Sequence, residues 1–145
     1  MDVIAEIAAI LHPMPAPGSV QPEEAFSDAC EAVDARRKKT IAELEAAWDA
    51  VDAEPLLHAL TDARIRKEQA EEEIRCLLAY GREFTRPRPY TLESLAAAAG
   101  MSISGVRTAY DQDQVAVVTH SIGRPSCKWR ITDPSDPPDD ALARA

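Results

Sequence analysis

Residues 91–110, TLESLAAAAGMSISGVRTAY, decide how this chain is read. Thr91 is a good N-cap, a hydroxyl placed to accept from an amide of the first helical turn. Leu92, Leu95, Ala96 and Ala99 then fall on one side of a helix, and the alanines keep that side flat enough for another helix to approach. Gly100 predicts the stop, because the tight turn needs a positive φ that glycine adopts without a Cβ penalty. Met101 plugs the corner. Ser102 caps a second helix running to about Tyr110, with Ile103, Val106 and either Ala109 or Tyr110 toward the inside. Ser102, Ser104, Gly105, Arg107 and Thr108 are left outward and forward, so the second helix reads as a probe held by the first. Gly105 costs such a helix about 1 kcal/mol relative to alanine. Either a close approach to a ligand's backbone or an internal packing contact accounts for it.

This segment resembles the helix-turn-helix of bacterial DNA-binding regulators, in the form LAxxAGMSxxxVR. In a 20-residue frame opened at Leu92, the family places a small residue fifth, a glycine ninth and an aliphatic residue fifteenth; Ala96, Gly100 and Val106 stand there. Leu95, Ala99, Met101 and Ala109 supply the packed positions. The resemblance implies that the helix from about Ser102 to Tyr110 enters the major groove of double-stranded DNA. In that role Arg107 grips a guanine in two places or holds a phosphate. Ser102, Ser104 and Thr108 bond either, and Ile103 lies against a thymine methyl.

The flanks extend the pattern. In FTRPRPYT two prolines force an extended connection, and Arg86 and Arg88 on it suit phosphate or minor-groove contacts. QVAVVTH (114–120) and KWRIT (128–132) are β-type runs separated by SIGRPSC, which predicts a hairpin with Arg124 near its tip. That hairpin makes the resemblance one to the winged subtype, with Arg124 and Lys128 on the DNA side. Each of these cations also has a plain reading as a solvated surface group.

Upstream, residues 3–11 suit a short helix, followed by the proline-rich linker HPMPAPGSVQP; the two make up residues 1–21. Pro22, Glu23, Glu24 and Asp28 open a long helix reaching about Ala53. Its stripe of Phe26, Cys30, Val33, Arg37, Thr40, Leu44, Ala47 and Val51 alternates steps of four and three, the periodicity of helix-on-helix packing. Residues 36–39, RRKK, are either a phosphate clamp or a solvated turn paired with acids. Pro55 breaks the pattern, which resumes with Leu56, Leu60, Ala63, Ala70, Ile74, Leu77 and Phe84 on one side. Two antiparallel helices, or one kinked helix pairing with a second subunit, both fit. The expected fold is therefore mainly α. A long-helix dimerisation or interaction region (22–84) precedes a winged helix-turn-helix (85–132), and an acidic, proline-rich tail (133–145) is expected to be disordered.

Charge agrees with that division. Residues 1–84 hold 18 acids against 9 Lys or Arg, residues 85–133 hold 4 against 6, and the remainder 3 against 1. The net charge of −9 argues against a protein that coats nucleic acid, yet the only net-basic stretch coincides with the motif. Few cations and an acidic helical half favour a homodimer that points its acidic part away from the duplex. The acidic helices also suit a protein of the transcription machinery, or an adaptor role with the motif kept as a scaffold; a plasmid- or chromosome-associated role is the other alternative.

Catalysis finds no support. His12, His58 and His120 lie far apart, Cys30, Cys76 and Cys127 form no CxxC pair, and neither a phosphate loop nor a metal-ligand spacing occurs. No enzyme, metal or cofactor is expected. No apolar run approaches the roughly 20 residues of a membrane span. Asp2 and Glu6, with no early Lys or Arg, run against a secretory signal. A cytoplasmic, nucleoid-associated protein is the expectation.

Overall fold

The computed structural model describes residues 2–127, which fold as six α-helices and one short 3-10 turn, with no strand among the described residues. The chain divides into two compact units at Lys67/Glu68, inside a long helix.

In the first unit, the Asp2 carboxylate accepts from the Ala5 amide and caps α1 (Val3–Leu11). Ile7 of α1 packs with Leu44 and Ala59, flanked by Ile4 and Leu11. A 3-10 turn over Glu23–Ala25 leads into α2 (Phe26–Val51). The end of α1 is latched to α2 by two hydrogen bonds: the His12 ring with the Thr40 hydroxyl at 2.8 Å, and Arg37 Nε donating to the His12 carbonyl at 2.8 Å. Arg37 thus serves a carbonyl that the end of α1 would otherwise leave without a partner.

Between α2 and α3 (Pro55–Glu83) the chain turns at Asp52, whose φ of 53° lies in the left-handed region that Asp tolerates better than most residues. Glu54 Oε2 accepts from the Leu57 amide at 2.8 Å, and Pro55 takes the first helical position, where its missing N–H costs nothing. Two separate helices result, not one kinked helix. Their facing residues, among them Thr40 and Asp62, line a cleft of about 330 Å³.

In the second unit, the later part of α3 packs with α4 (Leu92–Ala99), α5 (Ile103–Thr108) and α6 (Gln112–Ile122). Leu78, Ala96 and Val106 form one small core; Ala79, Phe84, Val115 and Val118 form another, and Tyr110 touches both. Gly81 lets α4 come close, since a Cβ there would meet Leu95 Cδ2 at 3.3 Å.

The expected β-hairpin wing is not present among the described residues. Residues 114–120 belong to α6, and residues 128–132 lie outside the described residues. Asp111 and Gln114 form a reciprocal capping box, and Val115 and Val118, three apart, are buried together on Phe84. In a strand Val115 and Val117 would share a face; here Val117 is half exposed. Packing overrides the β-preference of a valine-rich run. Arg124 accordingly follows the end of α6 and is not at a hairpin tip.

Candidate nucleic-acid interface

The corner between α4 and α5 is built from local rules. Thr91 Oγ1 accepts from the Ser94 amide at 3.1 Å and opens α4. Gly100 closes it at φ 65°, and its Cβ position is open space, so conformation rather than crowding selects glycine here. Ser102 Oγ accepts from the Gly105 amide at 2.9 Å and opens α5. A Cβ on Gly105 would lie 3.1 Å from that same hydroxyl and 3.5 Å from the Met101 methyl. Of the two accounts of Gly105, the internal contact is the one that this geometry carries.

Val106, fully buried at 0% exposure, sets the rotation of α5. Successive residues turn by a fraction of 3.6 per turn, so Ser104 and Thr108 point nearly opposite to it, with Ile103 and Arg107 on the shoulders. Ser102, Ile103, Ser104, Arg107 and Thr108 are all exposed, one cation and three hydroxyls around one apolar side chain. All three hydroxyls have local partners as well: Ser102 caps α5, Thr108 Oγ1 donates to the Ser104 carbonyl at 3.2 Å, and the Ser104 hydroxyl lies 3.4 Å from Ser102 Oγ. Among the described residues, no hydrogen bond or ion pair engages the Arg107 guanidinium.

Arg86 and Arg88 are exposed on a loop whose two ends return to one carbonyl. Thr85 Oγ1 donates to Gly81 O at 2.7 Å, and the Tyr90 amide donates to it at 3.0 Å. Arg82 Nη1 adds a bond to the Tyr90 carbonyl at 2.8 Å. The loop is therefore held firmly while its two arginines stay outward.

Arg124 is committed differently. Its Nη2 donates to the Phe84 carbonyl at 2.9 Å, and its guanidinium carbon stands 5.7 Å from the centroid of the Phe84 ring. It acts as a cap on the last turn of α3, where carbonyls lack helical partners. Lys128 lies outside the described residues.

Two contacts that tie this unit together were not anticipated from the sequence. The Tyr110 hydroxyl donates to Glu83 Oε1 at 2.8 Å, and burial, aided by that carboxylate, raises its pKa. Gln114 Nε2 donates to Glu72 Oε1 at 3.1 Å; with Arg75 it holds the Glu72 carboxyl below its ordinary pKa. Neither contact has a local sequence signal, since the partners lie 27 and 42 residues apart.

Among the described residues no group of His, Cys, Asp and Glu side chains is placed to hold a metal ion, and no helix is long and apolar enough to cross a membrane. No family model, curated protein or solved structure matches this chain.

Proposed function

We propose that the chain is a sequence-specific double-stranded DNA-binding protein that regulates transcription as a homodimer, with α5 in the major groove. The observation that carries this reading is the exposed set Ile103, Ser104, Arg107 and Thr108 on a helix whose rotation is locked by buried Val106. A rigidly aimed Arg107 suits bidentate bonding to a guanine edge, Ser104 and Thr108 suit base edges or phosphates, and Ile103 suits a thymine methyl. Arg86 and Arg88, on their pinned loop, suit the phosphates that fix register without reading sequence.

Cations of this number give weak binding per subunit. The two phosphate-facing arginines of each chain, Arg86 and Arg88, neutralising about four phosphates in a dimer, give a slope of roughly −3.6 in log affinity against log salt. Two half-sites bound together make up for that weakness.

The test is selection of bound fragments from genomic DNA, followed by mobility shifts on the enriched sequence at fixed salt. Arg107→Ala should weaken specific binding by about tenfold to a hundredfold with an unchanged far-UV spectrum. Unaltered operator affinity in that variant would remove α5 from its assigned role. Salt-sensitive binding with no sequence preference would point to a chromosome- or plasmid-coating role instead.

A further inference from the structure

The basic run at 36–39, RRKK, is not one feature in the folded chain. Arg37 is bonded to the His12 carbonyl and Lys38 is exposed outside the cleft, whereas Arg36 and Lys39 line the cleft of about 330 Å³ formed by the end of α1, α2 and the start of α3. From α3, Arg66 adds a third cation to the same lining. Positions 36, 39, 40 and 43 share one face of α2, and positions 58, 59, 62 and 66 share one face of α3, so helical periodicity builds both walls. The floor is apolar: Leu44 and Ala59 are buried, and Leu11 packs beside them.

Charge in the cleft runs against the charge of its surroundings. Residues 1–67 carry 13 Asp or Glu against 7 Lys or Arg, yet the cleft gathers three of those cations and only two of the acids, Glu43 and Asp62. Each acid has a partner on its own helix: Lys39 Nζ stands 3.7 Å from Glu43 Oε1, and His58 Nε2 stands 3.5 Å from Asp62 Oδ2. Arg36 commits only its Nε, to the Ala32 carbonyl at 3.3 Å. Among the described residues, no hydrogen bond or ion pair engages Arg66. The terminal N–H groups of two guanidiniums are thus open over an apolar floor, and cations gathered in this way repel one another until an anion joins them.

We infer that this cleft binds a small organic phosphomonoester, with its phosphate on Arg36 and Arg66 and its organic body on Leu11, Leu44 and Ala59. A guanidinium is a planar fork that bonds two oxygens at once. A phosphomonoester carries a charge of about −1.5 to −2 at pH 7 and three terminal oxygens, enough to engage both forks. A carboxylate, with one charge and two oxygens, satisfies one fork and leaves the other open. The volume is near the lower end of the roughly 300–1,000 Å³ of small-molecule sites, which suits a ligand of about one ring. The inference goes beyond the DNA reading and does not depend on it, because every lining residue belongs to the first unit and α5 belongs to the second.

The experiment is isothermal titration calorimetry of the full chain, without DNA and at fixed salt near about pH 7.5, with phenyl phosphate, phenyl sulfate and inorganic phosphate as probes. Phenyl phosphate should bind about tenfold tighter than phenyl sulfate, which has the same ring and a single negative charge. It should also bind about tenfold tighter than inorganic phosphate, which has no ring to place on the floor. Arg36→Gln and Arg66→Gln, both at exposed positions, should each weaken phenyl phosphate about tenfold with unchanged far-UV spectra. Lys38→Gln removes a charge from the same run outside the cleft and should stay within about twofold. A Lys38→Gln chain as weak as Arg36→Gln, or phenyl sulfate as tight as phenyl phosphate, would reduce the binding to general surface charge and overturn the site. Inorganic phosphate as tight as phenyl phosphate would overturn the organic ester and leave a free-phosphate site. No heat and no rise in Tm at roughly 10 mM phenyl phosphate overturns the inference outright. A chain that binds phenyl phosphate but no operator supports the cleft while removing the DNA reading.

Discussion

Helices α2 and α3 carry apolar stripes of the same alternating spacing, but they meet different fates. On α2, Val33 and Leu44 are buried, and Arg37 and Thr40 are bonded to the end of α1. On α3, four large apolar members of the stripe remain open to solvent. The difference is one of supply: α1 lies against α2 within the same unit, whereas the described residues provide nothing that lies along Leu60 and Leu77. A heptad pattern therefore states that a helix wants a partner, and says nothing of where the partner comes from. The same contrast separates the arginines. Arg37 and Arg124 are spent on backbone carbonyls, while Arg86, Arg88 and Arg107 stand outward.

The sharpest break of this comparison is a matched pair of truncations. Leu44→Ala should cost about 3 kcal/mol of stability by opening a cavity between α1, α2 and the start of α3. Leu77→Ala, at a position 67% exposed, should cost under about 0.5 kcal/mol. Chemical denaturation at a concentration where the chain is monomeric measures both. Equal losses would mean that the two stripes are not used differently.

A smaller effect distinguishes the arginines. Arg124→Ala should lower stability by about 1 kcal/mol through the loss of a bond to the Phe84 carbonyl, and leave specific DNA affinity within about twofold. Arg107→Ala should do the reverse. If Arg124→Ala weakened binding as strongly as Arg107→Ala, its place on the C-terminal cap of α3 would not be its main role.

The smallest effect is in pH. Gln114, and then Arg75, hold the Glu72 carboxyl below its ordinary pKa. A depressed carboxylate stabilises the folded state above its unfolded pKa of about 4.3, and that contribution fades as pH falls through the lower folded value. Gln114→Ala should therefore lower stability slightly at pH 7, where the contribution is fully present, and flatten the acid limb below about pH 4.5, so that the two proteins converge as pH falls. An acid limb identical to the parent's would show that the Gln114–Glu72 bond is not made in solution.

The legible parts of this chain are those governed by rules a few residues long. Thr91, Gly100 and Ser102 cap, stop and restart helices through their own hydroxyls and through a φ only glycine adopts cheaply. Val106 was expected inside and is fully buried. Pro55 was expected to break the helical pattern, and a turn lies there. The valine-rich run after Asp111 was misread because β-preference and helical spacing compete over so short a segment. Val115 and Val118 favour a helix only once Phe84 is known to lie beneath them. Arg124 was placed on a wing for the same reason: nothing adjacent in sequence shows that the Phe84 carbonyl, forty residues earlier, comes within 2.9 Å.

Sequence alone thus determined the helical class, the two long stripes and the glycine-cornered pair of short helices, because capping, chain reversal and periodicity act between near neighbours. Tertiary structure alone decided that residues 114–120 are helical, that Arg124 and Arg37 serve backbone carbonyls, and that the stripe on α2 is covered while much of the one on α3 is not. Each of these depends on which distant surface comes to rest against the segment. Burial is a property of the assembled chain, and no residue carries it in isolation.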